Sequence, residues 1–154
     1  TDCTFAGVRR GNLPPNGKDF QNNTETLQAT FYNGNKLPNT NELIWNHDLV
    51  SEDVNLHLQL LIRGHRNRVW CKYGSVSKWA QKGGCQSGIN PRTVKMINES
   101  HERLIELYPN FVKWNMQNGK QKIAGLSFNK GYKAIKVFYS NAYKSSRIKT
   151  LNFE

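Results

Sequence analysis

A chain of 154 residues with 37% hydrophobic and 11% aromatic side chains is long enough for one domain with a real core, and we read residues 1–154 as a single domain. Its 22 Lys and Arg against 11 Asp and Glu give a formal charge of +11, which points to a polyanion as partner. No apolar run approaches the roughly 20 residues of a membrane-crossing helix, so a membrane-spanning class is excluded.

The charge is uneven along the chain. Residues 1–50 hold four basic and five acidic side chains, whereas residues 51–154 hold eighteen and six. No carboxylate occurs between Val54 and Asn98 or between Leu107 and Phe153, so the polyanion-facing surface is expected in the second two-thirds.

Residues 1–24 carry Gly7, Gly11, Pro14-Pro15-Asn16-Gly17 and Asn22-Asn23 and predict an irregular covering arm with short strands near Phe5–Val8. Thr24 to Tyr32 alternates with Leu27, Ala29 and Phe31 inward, a strand closed by the Asn33-Gly34-Asn35 turn signal. Leu43-Ile44-Trp45 is a short strand or turn that brings Trp45 to the core. From Val54, the residues Leu56, Leu58, Leu60 and Ile62 alternate with Asn55, His57 and Gln59, the period of a half-buried strand ending on Arg63-Gly64-His65. His57 then falls on the exposed side. A loop rich in base, tryptophan and glycine follows, with Arg66, Arg68, Lys72, Lys78 and Lys82 to hold a phosphate backbone and Trp70 and Trp79 to stack on bases or to pack the loop.

Asn90 before Pro91 reads as the N-cap of the principal helix, near residues 91–108, with Val94, Ile97, His101, Leu104 and Ile105 on one stripe. His101 on that stripe is expected as a satisfied core histidine. Beyond it, Lys120–Phe128 and Lys133–Tyr139 read as strands, and the basic residues to Phe153 as a final edge strand. The fold class is therefore α+β, a mostly antiparallel sheet with one principal helix. Residues 54–106 form the proposed functional core.

Cys71 and Cys85 bracket a loop that a disulfide would stabilise by roughly 3 kcal/mol, leaving Cys3 free or joined to another chain; three unpaired thiols are the alternative. Without an initiating methionine, Thr1 reads as a processed terminus or a fragment edge.

A histidine at a strand end opposite a helix start suits phosphodiester hydrolysis: the imidazole takes a proton from water while a sparsely ligated Mg²⁺ stabilises the developing charge. Arg63 lies close enough in the chain to contact the phosphate. At Arg63-Gly64-His65, Gly83-Gly84, Asn90, Asn98 and Glu106 the chain resembles the ββα-metal nucleases of the DNA/RNA non-specific endonuclease type, found among secreted bacterial nucleases and toxin modules. The resemblance covers about a third of the chain. It implies a Mg²⁺-dependent endonuclease, with His65 as general base, Asn90 as metal ligand, Glu106 supporting the metal's water and a secreted location; Lys133 and Lys136, on the basic strand late in the chain, would contact nucleic acid. Two other classes stay open. One is a metal-independent ribonuclease using His57 or His65 with Lys133 or Lys136. The other is a non-catalytic basic module for nucleic acid, sulfated glycan or a protein, in which His65 is a turn residue and Asn90 only a cap.

Overall fold

The computed structural model describes residues 2–10, 18–25, 29–44, 50–75, 93–117, 120–121, 123–124 and 131–151. Trp45, Lys78, Trp79, Lys82, Cys85, Asn90 and Phe153 lie outside the described residues. The fold is α+β, with three α-helices and a mostly antiparallel, mixed set of strands among the described residues. Contacts group the chain into two compact units, Thr1–Trp45 with Asp53–Ser77 and Phe138–Glu154, and Asn46–Glu52 with Lys78–Val137. No helix among the described residues is long and apolar enough to cross a membrane.

The first unit is built on a four-stranded sheet of β1 (Phe5–Arg10), β2 (Phe20–Asn22), β3 (Thr30–Tyr32) and β4 (Asn67–Ser75), in the order β2-β4-β1-β3. The strand expected near Phe5–Val8 is β1, and it lies inside the sheet rather than in a covering arm. It pairs antiparallel with β3, Phe5 opposite Tyr32 and Ala6 opposite Phe31, and parallel with β4, Phe5 opposite Asn67 and Val8 opposite Trp70. A parallel pair needs a crossover, and helix α1 (Glu52–Ile62) lies in the connection.

Residues 54–62 thus form a helix, not the expected strand. Every residue from Val54 to Leu61 is buried, with Leu58, Leu60 and Leu61 fully inaccessible. An element buried on all sides need not show one apolar stripe, so chance alternation mimicked a strand. Apolar spacing at Val54, Leu58 and Leu61 and at Leu56 and Leu60 suits a helix equally well. The three polar residues inside it are matched by partners. His57 is fully buried rather than exposed; its ring stacks on Phe5 at 4.9 Å and its Nε2 shares a 3.1 Å hydrogen bond with the Tyr32 hydroxyl. Gln59 pairs with both backbone groups of Ile44, accepting from its N–H and donating to its carbonyl at 3.0 Å each, and its amide reaches Asn55 Oδ1 at 3.4 Å.

Helix α2 (Val94–Leu107) organises the second unit. Its N-cap is Thr93, whose hydroxyl accepts from Met96 N–H at 3.1 Å, so the start lies three residues beyond the expected cap at Asn90. Ile97, Ser100, His101 and Leu104 are its buried stripe. Beyond it run β5 (Val112–Trp114), β6 (Met116–Gln117), β7 (Lys120–Gln121), β8 (Ile123–Ala124), β9 (Tyr132–Lys133) and β10 (Ile135–Val137), forming the antiparallel pairs β5–β10, β6–β7 and β8–β9. Asn98 fixes the 131–133 turn, donating to the Gly131 carbonyl at 3.1 Å and accepting from Lys133 N–H at 2.9 Å. His101 is the satisfied core histidine expected: Nδ1 donates to the Lys133 carbonyl at 2.8 Å and Tyr132 meets its ring edge-on.

The last segment is corrected too. Tyr139–Leu151 is helix α3, in the first unit, where Tyr139 and Ala142 are buried and Lys144, Arg147 and Ile148 are exposed. From Tyr139 to Arg147 it contains no β-branched residue, which removes the main local preference for a strand.

Burial holds the His57 pKa down at about 4, against about 6.5 in an unfolded chain. The unfolded chain therefore takes up a proton that the folded one refuses. The stability contributed by neutral His57 is complete above about pH 7 and declines as pH falls from 6.5 towards 4, by about 1.4 kcal/mol per pH unit for one proton. Urea unfolding between pH 7.5 and 4.5 should show this slope. In His57→Gln, which keeps a polar partner for Tyr32, the slope should fall by about one proton; an unchanged slope would refute the assignment.

Candidate nucleic-acid interface

Arg63-Gly64-His65 terminates α1. Gly64 has φ +87°, its N–H donates to the Leu61 carbonyl at 3.0 Å, and His65 N–H donates to the Leu60 carbonyl at 3.0 Å. These are the two bonds of a Schellman cap, in which a left-handed glycine lets the chain fold back over the last turn. Arg63 is spent on the same end: its guanidinium donates to the carbonyls of Gln59 and Glu42 at 3.1 Å each. The expected strand end is thus a helix end, which the exposed Arg63 caps. His65 is half-buried, and its Nδ1 shares a 3.2 Å hydrogen bond with Thr4 Oγ1. Desolvation, then the neighbouring Arg63 charge, lowers its pKa.

The following residues, expected as a loop, are strand β4. Alternation along a strand sends side chains of one parity to one face. Asn67 and Val69 are buried, whereas Arg68 and Trp70 take the opposite face, Trp70 41% exposed; Arg66 immediately precedes the strand, and beyond Trp70, where the register with β1 shifts, Lys72 is exposed. Strand register extends this face. Phe20 on β2 stands opposite Trp70, which stands opposite Val8; Asn22 stands opposite Arg68, which stands opposite Ala6, itself opposite Phe31 on β3. Phe20 and Phe31 are 43% and 63% exposed, so Phe31 points to solvent and not inward. The face therefore bears three exposed aromatic rings around arginine, with Ala6 and Val8 on the strand between.

Its charges are held in place. Arg68 lies over the Phe20 ring at 4.5 Å and donates through Nε to Asn22 Oδ1 at 3.2 Å. Asp2 pairs with Arg66 and stands 3.8 Å from Arg68; its own backbone hydrogen bond, then Arg66, holds the carboxyl below its ordinary range. Arg66 Nε is buried and has no hydrogen-bond partner among the described residues. Edge strand β2 is tied to β4 by Asn67, whose amide accepts from Thr24 N–H at 2.9 Å and donates to the Thr24 carbonyl at 2.6 Å.

The other expected site residues belong to the second unit. Glu106 is exposed on α2, Lys133 pairs with Glu102 at 3.5 Å and lies 5.6 Å from the Trp114 ring, and Lys136 is exposed on β10 opposite Lys113. Among the described residues no three His, Cys, Asp or Glu side chains gather to hold a metal ion, and Asn90, the expected Mg²⁺ ligand, lies outside them. Cys71 on β4 is a free thiol, and Cys3 is free and buried.

Sequence reading missed Phe20 and Phe31 as surface residues. The available signal was the period of two in Arg66, Arg68, Trp70 and Lys72, which marks a strand with a basic, aromatic face. No protein-family model, curated protein or solved structure matches the chain.

The cap makes Gly64, not His65, the costly position. At Gly64 an added Cβ would meet Ser146 Oγ at 3.4 Å, and the left-handed backbone costs an L side chain about 1–2 kcal/mol. Gly64→Ala should lower unfolding stability by that amount, and His65→Ala by under about 1 kcal/mol for its half-exposed bond to Thr4. Chemical denaturation of both variants checks the order; a larger loss at His65 would refute it.

Proposed function

We propose that this chain is a basic module that binds nucleic acid through the outer face of the β2-β4-β1-β3 sheet. The carrying observation is the pair Arg68 and Trp70 on the outer side of β4, with Arg66 just before the strand and exposed Lys72 just after Trp70, in a chain of net charge +11. Two arginines and a lysine offset by one carboxylate, Asp2, attract phosphates, and contact with phosphates releases counterions. Lys133 and Lys136 on the second unit are further phosphate contacts in this reading. A sulfated glycan would meet the same charges but gain less from the exposed rings.

Hydrolysis is a second reading, favoured by one observation. His65 is half-buried with a lowered pKa, so its imidazole is neutral at pH 7 and able to accept a proton. In that reading His65 is the base and Asn90 and Glu106 serve Mg²⁺, or a metal-independent ribonuclease uses His65 with a lysine.

The test is incubation of the chain with plasmid DNA and total RNA, with Mg²⁺ and with chelator, beside a binding titration at several salt concentrations. Binding alone predicts intact polymer and an affinity that falls with salt, by about 0.7 in log–log slope for each phosphate contact on a single strand. Arg68→Ala should reduce that slope by about one contact. Cleavage abolished by His65→Ala would establish the hydrolytic reading instead, and absence of salt-sensitive binding to either polymer would refute the binding reading.

A further inference from the structure

The same face carries more than charge. Phe20 and Trp70 sit side by side on β2 and β4, and Phe31 stands on β3, on the other side of β1. Neighbouring strands lie about 4.8 Å apart, so the rings of β4 and β3 flank a trough about two strand spacings wide. Its floor is Ala6 and Val8 of β1. Exposed rings grouped this way expose apolar area that ordinarily marks a binding surface, and the arginine inside the group gives that surface a sign.

An intact duplex hides its base faces in its own stack and offers such a surface only phosphates. An unpaired strand presents both, a flat π-face and a phosphate at each nucleotide, and aromatic platforms hold it with little regard to sequence. We infer that the sheet face takes an unpaired stretch of nucleic acid, with bases stacked on Phe20, Trp70 and Phe31 and phosphates along Arg66 and Arg68.

This rests on the nucleic-acid reading above and goes beyond it by naming the strand state and the groups that hold the bases. Arg68 has a double part. Its position over Phe20 extends the aromatic platform, while the Asn22 bond to Nε fixes the plane of the guanidinium. Asp2, exposed at the edge, holds the pair Arg66 and Arg68 and is the one carboxylate on this face among the described residues.

The experiment compares four labelled ligands against the whole chain at one salt concentration: an RNA strand of about 12 nucleotides, within the span such platforms cover, the matching DNA strand, the blunt duplex, and an abasic strand of equal length. Fluorescence anisotropy should show the two base-bearing strands bound at least about tenfold more tightly than duplex or abasic strand. Phe31→Ala and Trp70→Leu should each lose about tenfold on the base-bearing strands and leave abasic binding unchanged. Equal affinity for abasic and base-bearing strands would overturn the stacking inference while leaving polyanion binding intact. Duplex bound as tightly as single strand would overturn it in the same way. Failure to bind any of the four would refute both readings, and the ligand comparison on the unaltered chain needs no variant to fold.

Discussion

The first unit depends on the pairing of polar side chains inside α1. A buried polar group without a partner costs about 1–3 kcal/mol, so Asn55, His57 and Gln59 on a fully buried helix would offset much of what its leucines contribute. Gln59 avoids this by treating Ile44 as a strand would, and His57 by meeting Tyr32 while its ring stacks on Phe5. Hydrogen bonds have direction, and burial of leucine does not. These pairs therefore fix how α1 lies against β1 and β3, and the Schellman cap at Gly64 fixes where the chain turns into β4.

From that arrangement the outer face follows. With Phe5, Val69 and Asn67 committed to the buried side, the alternation of β1 and β4 leaves Ala6, Val8, Arg68 and Trp70 outside. A slip of one residue would exchange the two sets, which is why the Asn67 clamp on Thr24 matters to the face as much as to the core. It secures β2, the short edge strand that supplies Phe20, against β4. Packing on one side of the sheet thus determines which chemistry appears on the other.

What could be read from the sequence follows the same division. His101 and the stripe of α2 were legible because that helix is half-buried and its pattern has one period. Helix α1 was not, because a helix surrounded by core needs no polar face, and its polar residues happened to alternate. Arg63-Gly64-His65 looked like chemistry for a related reason. Glycine followed by a polar residue serves a helix cap and a catalytic turn alike, and only the two bonds to Leu60 and Leu61 distinguish them. The basic residues of the presumed loop were recognised as a group, but their shared face emerged only once the strand register was known. Phe31 carried the opposite error, because an aromatic residue in an alternating segment is ordinarily an inward one.

The exposed rings also explain why charge alone is a poor guide to this chain. A surface used only to attract phosphates gains nothing from Phe20, Phe31 and Trp70, whose exposure to water is unfavourable and whose grouping invites non-specific association. Rings and arginine together have a use when the partner has flat apolar faces strung on a charged backbone. Arg68 joins the two requirements in one side chain, its guanidinium over Phe20 and within reach of Asp2. Asp2 pairs with Arg66 and stands near Arg68, so the face keeps its arginines ordered without leaving their charge uncompensated. In the proposed binding a phosphate would exchange one anionic partner for another, and what it would add over Asp2 is the base that comes with it.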